Sequence, residues 1–498
     1  MHHRTGFRWA VIAICLLAFV AAVLFADRIN HRLPHSEDEV AYLFQAKVFT
    51  LNRLSVPTPP LADAFWSPFV VDYQGRRFGK YPPGWPFLLS LGLRLGAGWL
   101  VNPLLGAVTL AMVAWLGRQM FDRRTGLLAA ALGVVTPAFL FQSGSLLSHP
   151  ASLFWNTLAL VFLVRLTRTR RPLDALGVGV FLAAAFVTRP FAGLGIGLPV
   201  AGWLGWQVAR KTLPRRLLGW TAAGGLVAAL LPLYWLGTTG NPFLNPYLLV
   251  WPYDRVGFGP DIGPHGYTIT DAIFIGARLK LVTLGRGLFG WPGWSNLLFL
   301  AVPFLTRRAR HWDRFLLAAI GGLVLVHIFY WAFGGADGGL PRYYYDALPA
   351  FLLLTARGVF ISIDLLQRVK LAGGRLSAGI LPPVLVALLT LYSLGWTLPP
   401  LLVAQKDKYG ITPAPLEAVR RAGLPAPALV LVQDVRRWTD FAAAFSANSP
   451  LLDGPVVYAI DWGPDYHRAL QALFKDRACF ELHGDTLVPC RNQNGGRP

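Results

Sequence analysis

The feature that most constrains this chain is the repeated alternation of long apolar stretches with short arginine-rich clusters. Apolar segments can be laid at 9–26, 100–117, 126–143, 151–166, 173–188, 191–209, 217–236, 288–305, 315–333, 345–363 and 377–403. Most approach the ~20 helical residues that cross roughly 30 Å of hydrocarbon at about 1.5 Å per residue. The segment at 288–305 is interrupted by Pro292, and that at 345–363 carries Asp346 and Arg357, so these two are the weakest spans. With 54% hydrophobic and 14% charged residues and a mean hydropathy of +0.46, the chain could not keep these stretches on a water-facing surface. The expected fold is an α-helical polytopic membrane protein with about eleven transmembrane helices.

A net charge of +21 would suggest a nucleic-acid partner in a soluble protein. Here the cations recur between apolar segments instead: Arg118, Arg123 and Arg124; Arg165, Arg168, Arg170 and Arg171; Arg210, Lys211, Arg215 and Arg216; Arg307, Arg308, Arg310 and Arg314; Arg368, Lys370 and Arg375. That spacing follows the positive-inside rule and puts the N-terminus and the clusters on the cytoplasmic side of a cytoplasmic membrane. The first span lacks a small-x-small cleavage pattern before Asp27, so it is read as an anchor rather than a signal peptide. An odd number of crossings then leaves the last hundred or so residues outside.

The loops between the clusters face outward. They are 27–99, 143–150, 188–190, 237–287 and 334–344, rich in Trp, Tyr, Pro, Gly and His. In the first, Ser36-Glu37-Asp38-Glu39-Val40-Ala41-Tyr42 begins an expected amphipathic helix over 37–50, lying along the membrane surface. A carboxylate pair just outside a membrane is a candidate active site, although acidic residues in a first helical turn also simply favour the helix dipole. Further on, Phe78-Gly79-Lys80-Tyr81-Pro82-Pro83-Gly84 is held extended by its prolines before an apolar, proline-led segment at 86–97. Lys80 either snorkels to the interface or meets a phosphate there.

Three outer positions add polar groups. Arg342 lies between a glycine-rich loop, 334–339, and Tyr343-Tyr344-Tyr345. It is read either as an interfacial anchor or as part of a lid over a phosphate and sugar, with Tyr343 and Tyr345 as substrate contacts. Arg189, in Thr188-Arg189-Pro190, lies outside against the charge bias, and pairs either with a structural carboxylate or with a donor phosphate. His149, in Ser148-His149-Pro150, is read as a metal ligand beside Asp38 or Glu39, an acceptor contact, or an interfacial polar residue. The aromatic loop at 237–287 is ranked as an acceptor-side candidate without a catalytic group.

These motifs, in this order and placement, carry a resemblance. The Asp38-Glu39 pair after the first span, the Lys80-Tyr81-Pro82-Pro83-Gly84 segment, and Pro341-Arg342-Tyr343 leading to Ala347-Leu348-Pro349 resemble the GT-C glycosyltransferases. The similarity is to the glycosyltransferase family 39 branch, with protein O-mannosyltransferases and the lipid A aminoarabinose transferase, over roughly 1–400. It implies transfer of a sugar from a polyprenyl-phosphate donor to a glycan, lipid or protein acceptor at the outer membrane face. It also implies Asp38 as general base and Lys80 on the carrier phosphate, joined by Arg189 and Arg342. Glu39 is expected in an acceptor-binding, metal-binding or orienting role, and Tyr42 and His149 on the substrate. Related transferases often have an acidic residue near His149, so this sequence departs from the pattern there. The resemblance leaves a divalent cation open, with Asp38 and His149 as its candidate ligands.

Beyond Ala404 the composition changes. Residues 1–404 are read as the transferase domain, and 405–498 as a small extracytoplasmic α/β domain opened by a proline-rich linker, Thr412-Pro413-Ala414-Pro415. Strands are expected at 428–432 and 456–460, helices near 437–446 and 465–474, and a hairpin between Cys479 and Cys490, which oxidation outside the cell would join. Cys15 is read as a small apolar residue. The rival reading is a transporter or lipid flippase for envelope-glycan precursors, but such proteins concentrate charge near the midplane or show related halves. In this chain the candidate charges crowd the outer span ends.

Overall fold

The computed structural model describes residues 2–369 and 377–490, so Lys370 and Arg375 of the last basic cluster lie outside the described residues. Every expected apolar segment holds a helix. Eight described helices are long and apolar enough to cross a membrane: Gly6–Arg28, Gly98–Met120, His149–Thr169, Pro190–Ala209, Arg216–Thr239, His311–Ile328, Arg342–Leu366 and Ala378–Gly410. The segment at 126–143 is a pair, Arg123–Val135 and Pro137–Ser143, bent by 67°. Pro137 lacks an N–H and forces Thr136 into extended backbone, so the helix breaks there. Pro172–Thr188 and Gly293–Leu305 are shorter apolar helices. The chain is a multi-pass membrane protein with a small C-terminal sheet.

Two devices pack the bundle and hold its loops. Helix α1 is His2–Arg28, α2 Glu37–Thr50, α3 Gly84–Arg94, α4 Val101–Met120 and α5 Arg123–Val135. Small residues bring α4 against α5, where a Cβ on Gly117 would collide with the Cα of Gly126. The same crowding fixes the first outer loop: a Cβ on Gly84 would run into Thr188 Oγ1, so the start of α3 is pressed against the residue before Arg189. Proline opens the helices after the break, α6 Pro137–Ser143, α7 His149–Thr169, α8 Pro172–Thr188 and α9 Pro190–Ala209, where its missing N–H costs nothing.

Helix α2 forms as expected, capped by Ser36, whose side chain accepts from the Glu39 N–H at 3.4 Å, with three carboxylates in its first turn. It does not lie on an open surface. Glu39, Val40, Ala41, Tyr42, Gln45, Ala46, Val48 and Phe49 are buried against α3 and a three-stranded sheet of β1 Val56–Pro57, β2 Val70–Tyr73 and β3 Arg76–Gly79. Gln45 ties helix to sheet by accepting from the Gly79 N–H at 2.9 Å.

The glycine-rich segment forms a short ribbon, β4 Ala336–Asp337 paired with β5 Leu340–Pro341. In the tail, β6 Ala428–Val432 and β7 Val456–Ile460 are the two expected strands, completed by β8 Ala478–His483 and β9 Thr486–Pro489 in the order β7-β6-β8-β9. The proline-rich linker instead opens a helix, Ala414–Ala422, because prolines are tolerated in a first turn. The tail also shares a core with the first outer loop. Ala64 and Phe65 are buried among Leu429, Leu431, Val457 and Leu470 of the tail sheet and helix, and Lys47 of α2 donates to the carbonyls of Ser446 and Asn448 at 2.6 and 2.8 Å.

Candidate active site

At one end of the bundle, α2, the loop after β3, the α6–α7 and α8–α9 junctions, and the segment after β5 bring most of the candidate residues together. Asp38, at the second position of α2, sends its two oxygens to different partners. Oδ1 accepts from the Tyr81 hydroxyl, and Oδ2 pairs with Arg342 Nη1 at 3.2 Å. Arg342 is held from the other side by the Gly334 carbonyl, which accepts from its Nε. Residues some three hundred positions apart thus form one carboxylate–guanidinium pair beside a partly open face.

A second relay runs alongside. The Tyr42 and Ser148 hydroxyls lie 2.9 Å apart, and Arg189 Nη1 donates to Ser148 Oγ, also at 2.9 Å. Arg189 stands over the Tyr343 ring at 5.6 Å, and Lys280 Nζ lies 5.4 Å from the same ring. Tyr343 in turn stacks on His327, with ring centres 5.0 Å apart. Burial is the main cause that pushes the Tyr42 and Tyr81 phenols above their ordinary range, so both stay protonated and able to donate.

Lys80 is 2% exposed and sits in a cage of rings. Its Nζ is 3.5 Å from the centre of Phe69, 4.4 Å from Trp251, 4.8 Å from Tyr247 and 5.2 Å from Tyr81. Asp254 Oδ2 is 4.0 Å away, and its other oxygen accepts from the Tyr330 hydroxyl and Trp331 Nε1. Burial lowers the Lys80 ammonium to about 8, against the opposing pull of Asp38, Asp254 and Glu37. This is not a lysine that snorkels to water.

Two expected site residues are occupied by structural contacts. Glu39 is 3% exposed. It accepts from the His35 and Leu146 N–H groups, each at 2.6 Å, and so clamps the start of α2 to the α6–α7 junction. Tyr345 is buried in the main helical core, edge-on to His149 with ring centres 6.4 Å apart. The Asp38 oxygens, candidate ligands of a divalent cation together with His149, are met here by Tyr81 and Arg342. Among the described residues the one close group of three possible ligands is His467, Cys479 and Cys490, in the tail.

Sequence reading passed over Asp254 and Lys280, both from the 237–287 loop. Lys280 is 1% exposed, and its Nζ has no hydrogen-bond partner among the described residues. Burial lowers it, too, to about 8. The available signal was a lone acidic residue in an aromatic run, Trp251-Pro252-Tyr253-Asp254, and a lysine between Arg278 and Arg286 in a helix on the outer loop.

The helical bundle shows the fold: the chain has the GT-C fold, shared with the solved membrane proteins named below. Residues 80–235, which include Lys80 and Arg189, match the family described as dolichyl-phosphate-mannose-protein mannosyltransferase. ArnT from Cupriavidus metallidurans bound to undecaprenyl phosphate aligns with a TM-score of 0.56 at 13% identity, over 96% of this chain and 90% of that one. Archaeoglobus fulgidus AglB, an oligosaccharyltransferase in complex with an inhibitory peptide and a dolichol-phosphate, aligns with a TM-score of 0.51 at 14% identity, over 90% of this chain and 64% of its own. No curated protein sequence matches the chain.

Proposed function

We propose that this protein transfers a sugar from a polyprenyl-phosphate carrier to an acceptor hydroxyl at the outer face of the cytoplasmic membrane. The observation that carries the reading is the Asp38–Arg342 pair, set among the buried lysines Lys80 and Lys280 and the part-buried Arg189 at the bundle end. A lipid-linked donor cannot leave the bilayer, so its phosphate reaches the protein at headgroup depth. Asp38 takes the acceptor proton as the acceptor oxygen attacks the sugar C1. The bond from C1 to the phosphate oxygen breaks, and its electron pair stays on the phosphate, where the cations stabilise the added charge. The aromatic rings of Tyr247, Trp251 and Tyr343 offer faces for carrier and sugar.

The direct test uses the purified protein in detergent with a short-chain polyprenyl-phosphate sugar and a mixture of envelope acceptors. Time-dependent release of free polyprenyl phosphate, with the sugar appearing on an acceptor, is the expected result. Movement of intact donor across proteoliposomes without cleavage would replace the transferase with a flippase.

Orientation has its own test. Counting the bent pair and the two shorter apolar helices with the eight long ones gives eleven crossings, which from a cytoplasmic N-terminus would leave 405–498 outside, where the Cys479–Cys490 bridge forms across the base of the β8–β9 hairpin. A membrane-impermeant thiol reagent on intact cells should label both cysteines after reduction and neither before. Labelling that requires permeabilised cells would put the tail inside.

A further inference from the structure

The tail holds a cluster that sugar transfer does not use. His467 is 6% exposed, and its Nδ1 lies 2.8 Å from Asp461 Oδ2, which also accepts from Gln433 Nε2 at 2.8 Å. With the Nδ1 hydrogen donated to Asp461, the neutral ring keeps its lone pair on Nε2. That nitrogen is buried and has no hydrogen-bond partner among the described residues. The ring stands beside the Cys479–Cys490 bridge: one ligand atom each from His467, Cys479 and Cys490 lies within 4.8 Å of the others. Gln471 Nε2 adds a contact at 3.5 Å to Cys479 Sγ.

We propose that opening this disulfide creates a site for a thiophilic divalent cation of the zinc type, with Cys479, Cys490 and His467 as ligands, and that closing the disulfide removes it. Two thiolates and one imidazole form a zinc donor set that leaves a fourth position for water. Metal-bound histidines almost always donate their other ring nitrogen to a carboxylate, carbonyl or water, and Asp461 holds His467 in that way. Ligand atoms around tetrahedral zinc stand roughly 3.5 Å apart, given bonds of about 2.0–2.3 Å. Opening the bridge lets the sulfurs move apart toward that spacing, and the cysteine Cα atoms are 5.3 Å apart.

The electron and proton balance is simple. A dithiol gives two electrons and two protons to the bridge and becomes a disulfide, leaving thiols at Cys479 and Cys490. The cation then displaces both thiol protons into solvent. In the oxidised protein the sulfurs have no thiolate to offer, so the same residues read as a structural bridge beside a buried histidine.

The test uses the full chain in detergent, reduced anaerobically with a phosphine that is then removed, and titrated with Co2+ as the probe. One equivalent should bind with thiolate-to-cobalt charge-transfer absorption and the intense visible bands of tetrahedral geometry, and Zn2+ should bleach both. The oxidised protein should show neither. His467→Ala, checked for fold by circular dichroism, should weaken binding at least tenfold, and Asp461→Asn by about 10- to 100-fold. If His467→Ala unfolds, His467→Gln serves in its place. No thiolate band in the reduced protein, or equal affinity in the histidine variants, would overturn the site and leave a bridge that only staples the hairpin.

Discussion

Replacing Asp38 with Asn should lower sugar transfer by roughly 10² or more, the scale of a lost general base, while the protein stays folded and still binds polyprenyl phosphate. Asparagine is nearly the same size, and its carbonyl can still accept from Tyr81, so α2 keeps its seat. What disappears is the charge that pairs with Arg342 and that is proposed to take the acceptor proton. Because that change also removes a negative charge from beside Arg342, carrier affinity should hold or rise rather than fall. Single-turnover transfer and carrier binding, measured on the same preparation, separate the two effects. Near-normal turnover by the variant would remove Asp38 from the chemistry.

The elements legible in the amino-acid sequence are those whose signal is local. Apolar length locates the membrane helices, and Ser36 followed by three carboxylates locates the start of α2. The unbroken apolar runs at 428–432 and 456–460 read as strands fully buried in a sheet, and they are the paired β6 and β7. What stays hidden depends on direction or distance. Adjacent residues on a helix project about 100° apart, so Asp38 and Glu39 could not both face one site. The sequence does not say which of them turns inward. In the structure Glu39 turns in, to the His35 and Leu146 N–H groups.

Distance explains the other omissions. Asp254 becomes a partner of Lys80 only because the 237–287 loop folds back over the first outer loop, where Trp251 also packs on Phe69 at 5.1 Å between ring centres. Lys280 looks like one cation of a basic run with Arg278 and Arg286 until Tyr343 is found beside it. The tail reads as an independent unit because its strands are locally complete. Its dependence on Phe65 and on Lys47 of α2 is visible only once the two cores are seen to meet. The same contacts connect the tail mechanically to the helix that carries Asp38.

Donor use should fall by about 1.5–3 kcal/mol, roughly 10- to 150-fold in affinity, in both Lys80→Ala and Arg342→Ala, the worth of a charge-assisted contact to phosphate. Lys80 adds a pH signature that Arg342 lacks. Its ammonium is held at about 8 by burial, so it is charged below that pH and progressively neutral above it. In the free enzyme, therefore, kcat/KM for the donor should decline as pH rises through about 8 instead of near the ordinary lysine value. A bound phosphate favours the charged form, which moves the decline in kcat to higher pH. Lys80→Arg separates the two buried lysines, since a guanidinium stays charged throughout the range. If Lys80 alone meets the phosphate, the alkaline decline should vanish in that variant. If it persists near 8, Lys280, lowered to the same value, is the titrating ligand. An unchanged carrier affinity in Lys80→Ala and Arg342→Ala, with activity reduced, would move both residues from the donor phosphate to the acceptor or the lid.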